Sequence, residues 1–262
     1  MKYVIAFVAI PLLLVTTYCK PKNTKDLPAD KTGNKDLAYA ETTNTNTFAV
    51  VQLFTSQGCS SCPPADRLLD EVKKDYDNVA VLSYHVDYWN RLGWKDPFSK
   101  KKYTELQYAY GNKFGGGSVY TPQAVINGKL HFVGSSEAKM KGNLSKFLKD
   151  PAENTVAISD VSKNGNTLSF KYNLTGESSN KKLKVALVID SRETPVRRGE
   201  NGGKTLLNTN IVVQEVAVSA SEKKGSLQID IPTIVEDTDE LSLIGFVQQD
   251  DLTITGATKM SI

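Results

Sequence analysis

Phe54-Thr55-Ser56-Gln57-Gly58-Cys59-Ser60-Ser61-Cys62-Pro63-Pro64-Ala65-Asp66 is the stretch from which the rest of this chain is best read. The run leading into it, Phe48 to Phe54, is Phe-Ala-Val-Val-Gln-Leu-Phe, β-branched and aromatic at strand length, and Thr55 to Gly58 bound it as a turn. Pro63 and Pro64 suit the first turn of a helix, where a missing N–H costs little, and Leu68, Leu69 and Val72 then share one face of a helix over Ala65 to Tyr76. The stretch therefore predicts strand, tight turn, Cys-x-x-Cys, helix. Each part suits dithiol chemistry. A helix N-terminus carries partial positive charge and favours a thiolate at Cys59, while the short spacing brings the Cys62 sulfur within bonding reach. Cys59 reads as the exposed nucleophile and Cys62 as the buried resolving thiol. Asp66 reads first as an acid that stabilises the helix; near the sulfur it would instead oppose the thiolate by raising the thiol pKa.

Working outward, Val79 to His85 is a second strand, and an aromatic loop with Tyr88, Trp89, Trp94 and Phe98 follows it. A helix is expected over Ser99 to Tyr110, stopped by Gly115 to Gly117. Gln123 to Ile126 and Leu130 to Val133 flank Asn127-Gly128, a hairpin signal, and a helix over Glu137 to Leu148 closes the unit. This βαβα, hairpin, helix order resembles the thioredoxin arrangement. Thr121-Pro122 stands where that arrangement carries a cis proline beside the active-site disulfide. By that analogy Thr121 and Pro122 line a substrate groove.

The resemblance narrows on Phe54 to Asp66, His85-Val86-Asp87-Tyr88-Trp89, Gly93-Trp94-Lys95-Asp96-Pro97-Phe98, Tyr120-Thr121-Pro122-Gln123 and Arg198-Gly199-Glu200-Asn201-Gly202-Gly203. These segments resemble a mainly bacterial, secreted family catalogued as domain of unknown function 1223 and grouped with the thioredoxin-like superfamily. The match runs from about Phe48 nearly to the C-terminus. It implies a fold more than an activity.

Past Pro151 the pattern changes to alternation, as in Leu168, Phe170, Tyr172 and Leu174, or Val185, Leu187 and Ile189, with turns at Asn164-Gly165-Asn166 and over 176–180. The expected architecture is an α/β thioredoxin-like domain over residues 47–150, followed by a mostly antiparallel β-sandwich-like domain over 151–262. Gly199-Glu200-Asn201-Gly202-Gly203-Lys204-Thr205 is one residue short of a phosphate-binding loop and reads as a long glycine-rich hairpin loop, for which the family resemblance leaves open a fold back toward the cysteines.

Three readings of the cysteine pair stay open. The first is an exported thiol:disulfide oxidoreductase acting on cysteine-containing envelope proteins, with no cofactor. The second is a copper carrier using Cys59, Cys62 and His85, since thiolates with an imidazole suit Cu(I). The third is a non-enzymatic scaffold with a structural disulfide, although so short a bridge constrains little. Asp87 is a candidate proton acceptor for Cys62. Trp89 and Trp94 are candidates for an apolar rim of the groove, with core packing as the alternative. His131 reads as solvent-facing or structural.

The ends and composition bear on location. Lys2, the apolar run Val4 to Val15 and the residues up to Cys19 form a signal-peptide pattern over 1–19, too short for a spanning helix. Cys19 resembles the acylated cysteine of bacterial lipoproteins, although Tyr18 stands where a small residue is usual, so lipidation and an ordinary signal peptide both stay open. Residues 20–46 read as a flexible polar tether. The expectation is export to the periplasm, or membrane attachment only through a lipid on Cys19. A net charge of +3 over 262 residues, with no basic stripe, leaves nucleic-acid binding without an electrostatic footprint.

Overall fold

Strand β1 (Ala49–Thr55) is buried at every position, because it lies inside a sheet covered on both faces. The computed structural model describes residues 47–262; the signal peptide, the lipidation of Cys19 and the tether at 20–46 lie outside the described residues. Helix α1 (Pro63–Asp75) begins at Pro63, two residues earlier than the periodicity alone suggests, since both prolines are accepted where no N–H is needed. It buries Ala65, Leu68, Leu69 and Val72, at about 1.5–3 kcal/mol for each of the larger side chains, and ends on Lys73 and Lys74, which suit its negative pole. Strand β2 (Val79–His85) runs parallel to β1, from Ala49 opposite Val79 to Thr55 opposite His85. Helix α2 (Lys101–Lys113) follows the aromatic loop, and β3 (Gln123–Ile126) and β4 (Leu130–Val133) form the expected hairpin. Its turn places Asn127 and Gly128 at positive φ, 48° and 63°, as a two-residue turn between twisted strands requires. Helix α3 (Glu137–Phe147) completes this half.

The strands of the second half are β5 (Thr155–Asn164), β6 (Thr167–Thr175), β7 (Lys181–Pro195), β8 (Thr205–Ser219), β9 (Lys224–Asp230), β10 (Leu241–Gln249) and β11 (Ile254–Ser261). They do not form a domain of their own. β7, β8, β10 and β11 extend the first-half sheet into one mixed sheet of eight strands, ordered β11-β10-β7-β8-β2-β1-β3-β4, and β5, β6 and β9 form a second sheet of three. With eleven strands against three α-helices among the described residues, the chain is mostly β. This overturns the expected α/β thioredoxin-like domain followed by a β-sandwich-like domain. The physical reason lies in β2. Left at the sheet edge it would expose a row of unpaired backbone groups, yet all its residues are buried, because β8 lies against it. The parallel rung Ser83–Ile211 is reinforced by the Ser83 hydroxyl, which donates to the Thr209 carbonyl at 2.7 Å, and by the Asn210 amide, which donates to the Val81 carbonyl at 2.9 Å.

Three cores result. α1 and α3 cover one face of β1–β4, through Leu69, Val72, Met140 and Leu144 on Val51, Leu53, Val81 and Ile126. The three-stranded sheet packs Phe170, Leu174 and Ile229 against Leu183, Leu187 and Leu243 of the large sheet. α2 packs Tyr103 and Tyr110 on the opposite face, where Phe54 and Tyr84 from one half meet Val212, Ile244 and Phe246 from the other.

Candidate functional site

Cys59 and Cys62 form a disulfide at the start of α1, with Cα atoms 5.5 Å apart, and Cys62 is the helix N-cap. Both residues are fully buried, while Ser60 and Ser61 between them are exposed. The nucleophile expected to be open to solvent is thus covered in this oxidised state. The peptide Thr121–Pro122 is cis and lies against the pair. The Cys59 sulfur is 3.9 Å from the Thr121 carbonyl oxygen, which also accepts from the Ser61 hydroxyl at 3.4 Å.

The two tryptophans are half-buried supports of this turn. Trp89 donates from Nε1 to the Thr121 hydroxyl at 2.8 Å, and Trp94 donates from Nε1 to Gln57 Oε1 at 3.1 Å. Gly58 allows the first: a Cβ there would lie 3.1 Å from that of Trp89. Gln57, fully buried, is held at every polar group. Its N–H donates to Asp96 Oδ2 at 2.8 Å, its side-chain amide donates to Asn208 Oδ1 at 3.1 Å, and its carbonyl accepts from Asn201 at 3.0 Å.

Beneath the disulfide sits a buried set of ionisable groups. Asp66 lies four residues after Cys62, hence on the same face of α1 one turn on. The Thr55 hydroxyl donates to its Oδ2 at 3.2 Å. Burial pushes the Asp66 carboxyl up to about 7; the charge of His85, the Thr55 bond and the nearby Asn208 amide pull it down, and Asp96 pushes it further up. The Asn208 amide nitrogen closes no hydrogen bond of normal geometry, and Asp66 Oδ1 and His85 Nε2 likewise have none. His85 donates from Nδ1 to Asp96 Oδ2 at 2.7 Å. Burial pulls its imidazole down, but the charge and hydrogen bond of Asp96, with the charge of Asp66, outweigh this, and the net shift is upward. Asp96 also accepts from the Phe98 N–H at 3.0 Å, so its carboxylate is well supplied with donors.

Asp87 is placed elsewhere: its Oδ1 accepts from the Thr104 hydroxyl of α2 at 2.6 Å. His131 is exposed and meets the Tyr120 hydroxyl at 2.9 Å. Among the described residues, with Cys59 and Cys62 joined as a disulfide, no three histidine, cysteine, aspartate or glutamate side chains are grouped to hold a metal ion. Nor is any described helix long and apolar enough to cross a membrane.

The loop between β7 and β8 returns to the cysteines. Asn201, fully buried, donates from its amide to the carbonyls of both Gln57 and Cys59, at 3.0 and 2.9 Å. Glu200 accepts from the Ser60 N–H at 3.0 Å, and a Cβ on Gly199 would lie 3.2 Å from that of Trp94. Asp96, Glu200 and Asn201 are the residues that periodicity and spacing missed as parts of the site. A signal for them did exist. All three fall inside the short segments on which the family resemblance rests, and those segments converge here.

Among functionally curated proteins, none matches the chain. Among solved structures, it is similar to a protein from Agrobacterium tumefaciens determined by X-ray crystallography, at 27% identity over 81% of this chain and 93% of that one, with a TM-score of 0.61. Smaller overlaps are with a DUF3823 family protein from Bacteroides ovatus (16% identity, 41% of this chain, 52% of that one, TM-score 0.27) and with a domain of the outer membrane lipoprotein Omp28 from Porphyromonas gingivalis (14%, 42%, 96%, 0.26). The family model described as protein of unknown function (DUF1223) matches residues 50–248, and the chain belongs to that family.

Proposed function

We propose that this protein is an exported thiol:disulfide oxidoreductase that exchanges disulfides with cysteine-containing proteins of the cell envelope. The observation that carries the reading is the Cys59–Cys62 disulfide at the start of α1, set against the cis Thr121–Pro122 peptide. A three-residue separation closes a loop too short to restrain the unfolded chain much, so chemistry is a better account of the bridge than stability. In the reducing direction, the Cys59 thiolate attacks one sulfur of a substrate disulfide and expels the other as a thiolate. Cys62 then loses its proton, attacks the Cys59 sulfur and releases the second substrate thiolate, restoring the bond. Asp66, one turn from Cys62 with a carboxyl that titrates at about 7, is the acid suited to hold that proton. Asp87 is committed to Thr104. Thr121 and Pro122, with Trp89 and Trp94 behind the turn, would form the wall against which the substrate chain lies.

The test is the equilibrium of the pair with glutathione, on protein whose metal content has been measured first. A reduction potential between roughly −120 and −270 mV supports exchange chemistry and gives its direction. A value below about −300 mV moves the reading to a structural bridge. Copper retained in stoichiometric amount moves it to a carrier using Cys59, Cys62 and His85.

A further inference from the structure

Glu200 is exposed, yet its carboxylate is seated on the disulfide turn: Oε2 accepts from the Ser60 N–H at 3.0 Å across 140 residues of sequence. The loop is held for this contact. Asn201 is buried on the Gln57 and Cys59 carbonyls, Lys204 Nζ donates to Asn201 Oδ1 at 3.1 Å, and the Gly202 N–H donates to the Gly199 carbonyl at 3.0 Å. Helix α1 opens on Pro63 and Pro64, neither of which has an N–H, so the donors that a helix start usually offers to an anion are thinned. The Ser60 N–H, adjacent in the chain to Cys59, matters the more for that. A carboxylate has taken it.

We propose that Glu200 acts through Ser60 as a positioning residue for the reactive thiol: by placing a negative charge on this N–H, the loop between β7 and β8 disfavours the Cys59 thiolate and slows the reduced pair. The proposal rests on the redox reading of Cys59 and Cys62. Hydrogen bonds from Ser60 hold the Glu200 carboxyl below the usual carboxylate range, so it is ionised throughout the neutral region. The other charged or titratable groups tied to this turn are Lys204 through Asn201, Asp96 through the Gln57 N–H with His85 behind it, and Asp66 on α1. Glu200 is the one whose hydrogen bond lands on the residue next to Cys59. Glu200 is exposed, so water screens its charge; at an effective dielectric of about 40–80, a unit charge about 6 Å from a thiol changes its ionisation constant by about three- to tenfold.

The experiment follows alkylation of Cys59 by iodoacetamide across pH in the full chain carrying Cys62→Ser, read on the Cys59 peptide by mass spectrometry. In that reaction the thiolate sulfur bonds to the methylene carbon and iodide leaves, so the rate reports the thiolate fraction. Adding Glu200→Gln, which keeps an acceptor for the Ser60 N–H but removes the charge, is expected to raise the ionisation constant by about three- to tenfold; Glu200→Asp is expected to stay near the parent. An unchanged midpoint in Glu200→Gln overturns the proposal. So does a shift in Glu200→Ala that Glu200→Gln lacks, because that would mark packing rather than charge. A wild-type potential below about −300 mV would sink the redox reading while leaving this comparison of midpoints intact.

Discussion

Asn201 donates its side-chain amide to the carbonyl of Cys59 at 2.9 Å, although 142 residues separate the two. The same amide serves Gln57, so one fully buried side chain fixes two consecutive turns of backbone around the disulfide. Replacing it by alanine leaves two carbonyls without that donor. Asn201→Ala is expected to destabilise the folded protein by about 1–3 kcal/mol and to hasten reduction of the pair by dithiothreitol. Urea unfolding and a timed thiol assay check the two effects; normal stability with unchanged reduction would show that the loop is not a clamp.

Exchange chemistry makes the two cysteines unequal. Cys62→Ser is expected to accumulate mixed disulfides through Cys59 when exposed to envelope proteins or oxidised glutathione, because the resolving thiol is gone. Cys59→Ser should trap far less, since the thiol left to it, Cys62 at the N-cap of α1, is the one assigned to resolve rather than to attack. Non-reducing electrophoresis distinguishes them, and equal trapping by both variants would argue against the assigned roles.

Asp66 ties stability to pH. Its carboxyl titrates at about 7 when folded and near 3.8 when exposed, so between these values the folded state keeps a proton that the unfolded state has released. Stability from this group is therefore full below the lower value, falls as pH rises, and is lost above the upper one, by about 4 kcal/mol at most. His85, raised from 6.5, adds a loss in the same direction at higher pH. Asp66→Asn should flatten the decline between about pH 4 and pH 7, leaving the His85 part. Parallel slopes for the variant and the parent in urea titrations across that window would contradict the assignment.

Gly128 tests the hairpin. Its φ is +63°, and a Cβ there would lie 1.9 Å from the Leu252 carbonyl oxygen, a backbone atom that cannot step aside cheaply. Gly128→Ala is expected to cost more than the roughly 1 kcal/mol of an ordinary left-handed position, with a lowered melting temperature as the readout. Asn164-Gly165 offers the control: Gly165 also has positive φ, but its Cβ would meet nothing, so Gly165→Ala should cost less.

Much of the local structure was legible because it is written in short range. The strand before Cys59, the proline-opened helix after Cys62 and the Asn127-Gly128 turn each depend on neighbouring residues alone. The partner of β2 was not legible. β8 joins it through a single parallel rung, and the supporting bonds come from Ser83, Thr209 and Asn210, polar residues that lack the strict alternation of a strand read in isolation. The site divides in the same way. Cys59, Cys62, Thr121 and Pro122 announce themselves by residue type and spacing, and the fold brings them together. Asp66 reads mainly as a helix-stabilising acid because helix position alone does not reveal that Thr55, His85 and Asn208 close over it. Trp89 and Trp94 are less a rim than two struts, each committing its ring N–H to the turn it supports.

The place of β8 beside β2 also sets a clock. A ribosome adding about 5–20 residues per second delivers Ser83 well before Ile211, the residue it pairs with, so the central strand waits on the order of ten seconds for its neighbour. The Asn201 and Glu200 contacts arrive only near the end of that interval. Until then the two cysteines have emerged without the loop that covers them, and the nascent chain is more open to other thiols than the finished protein.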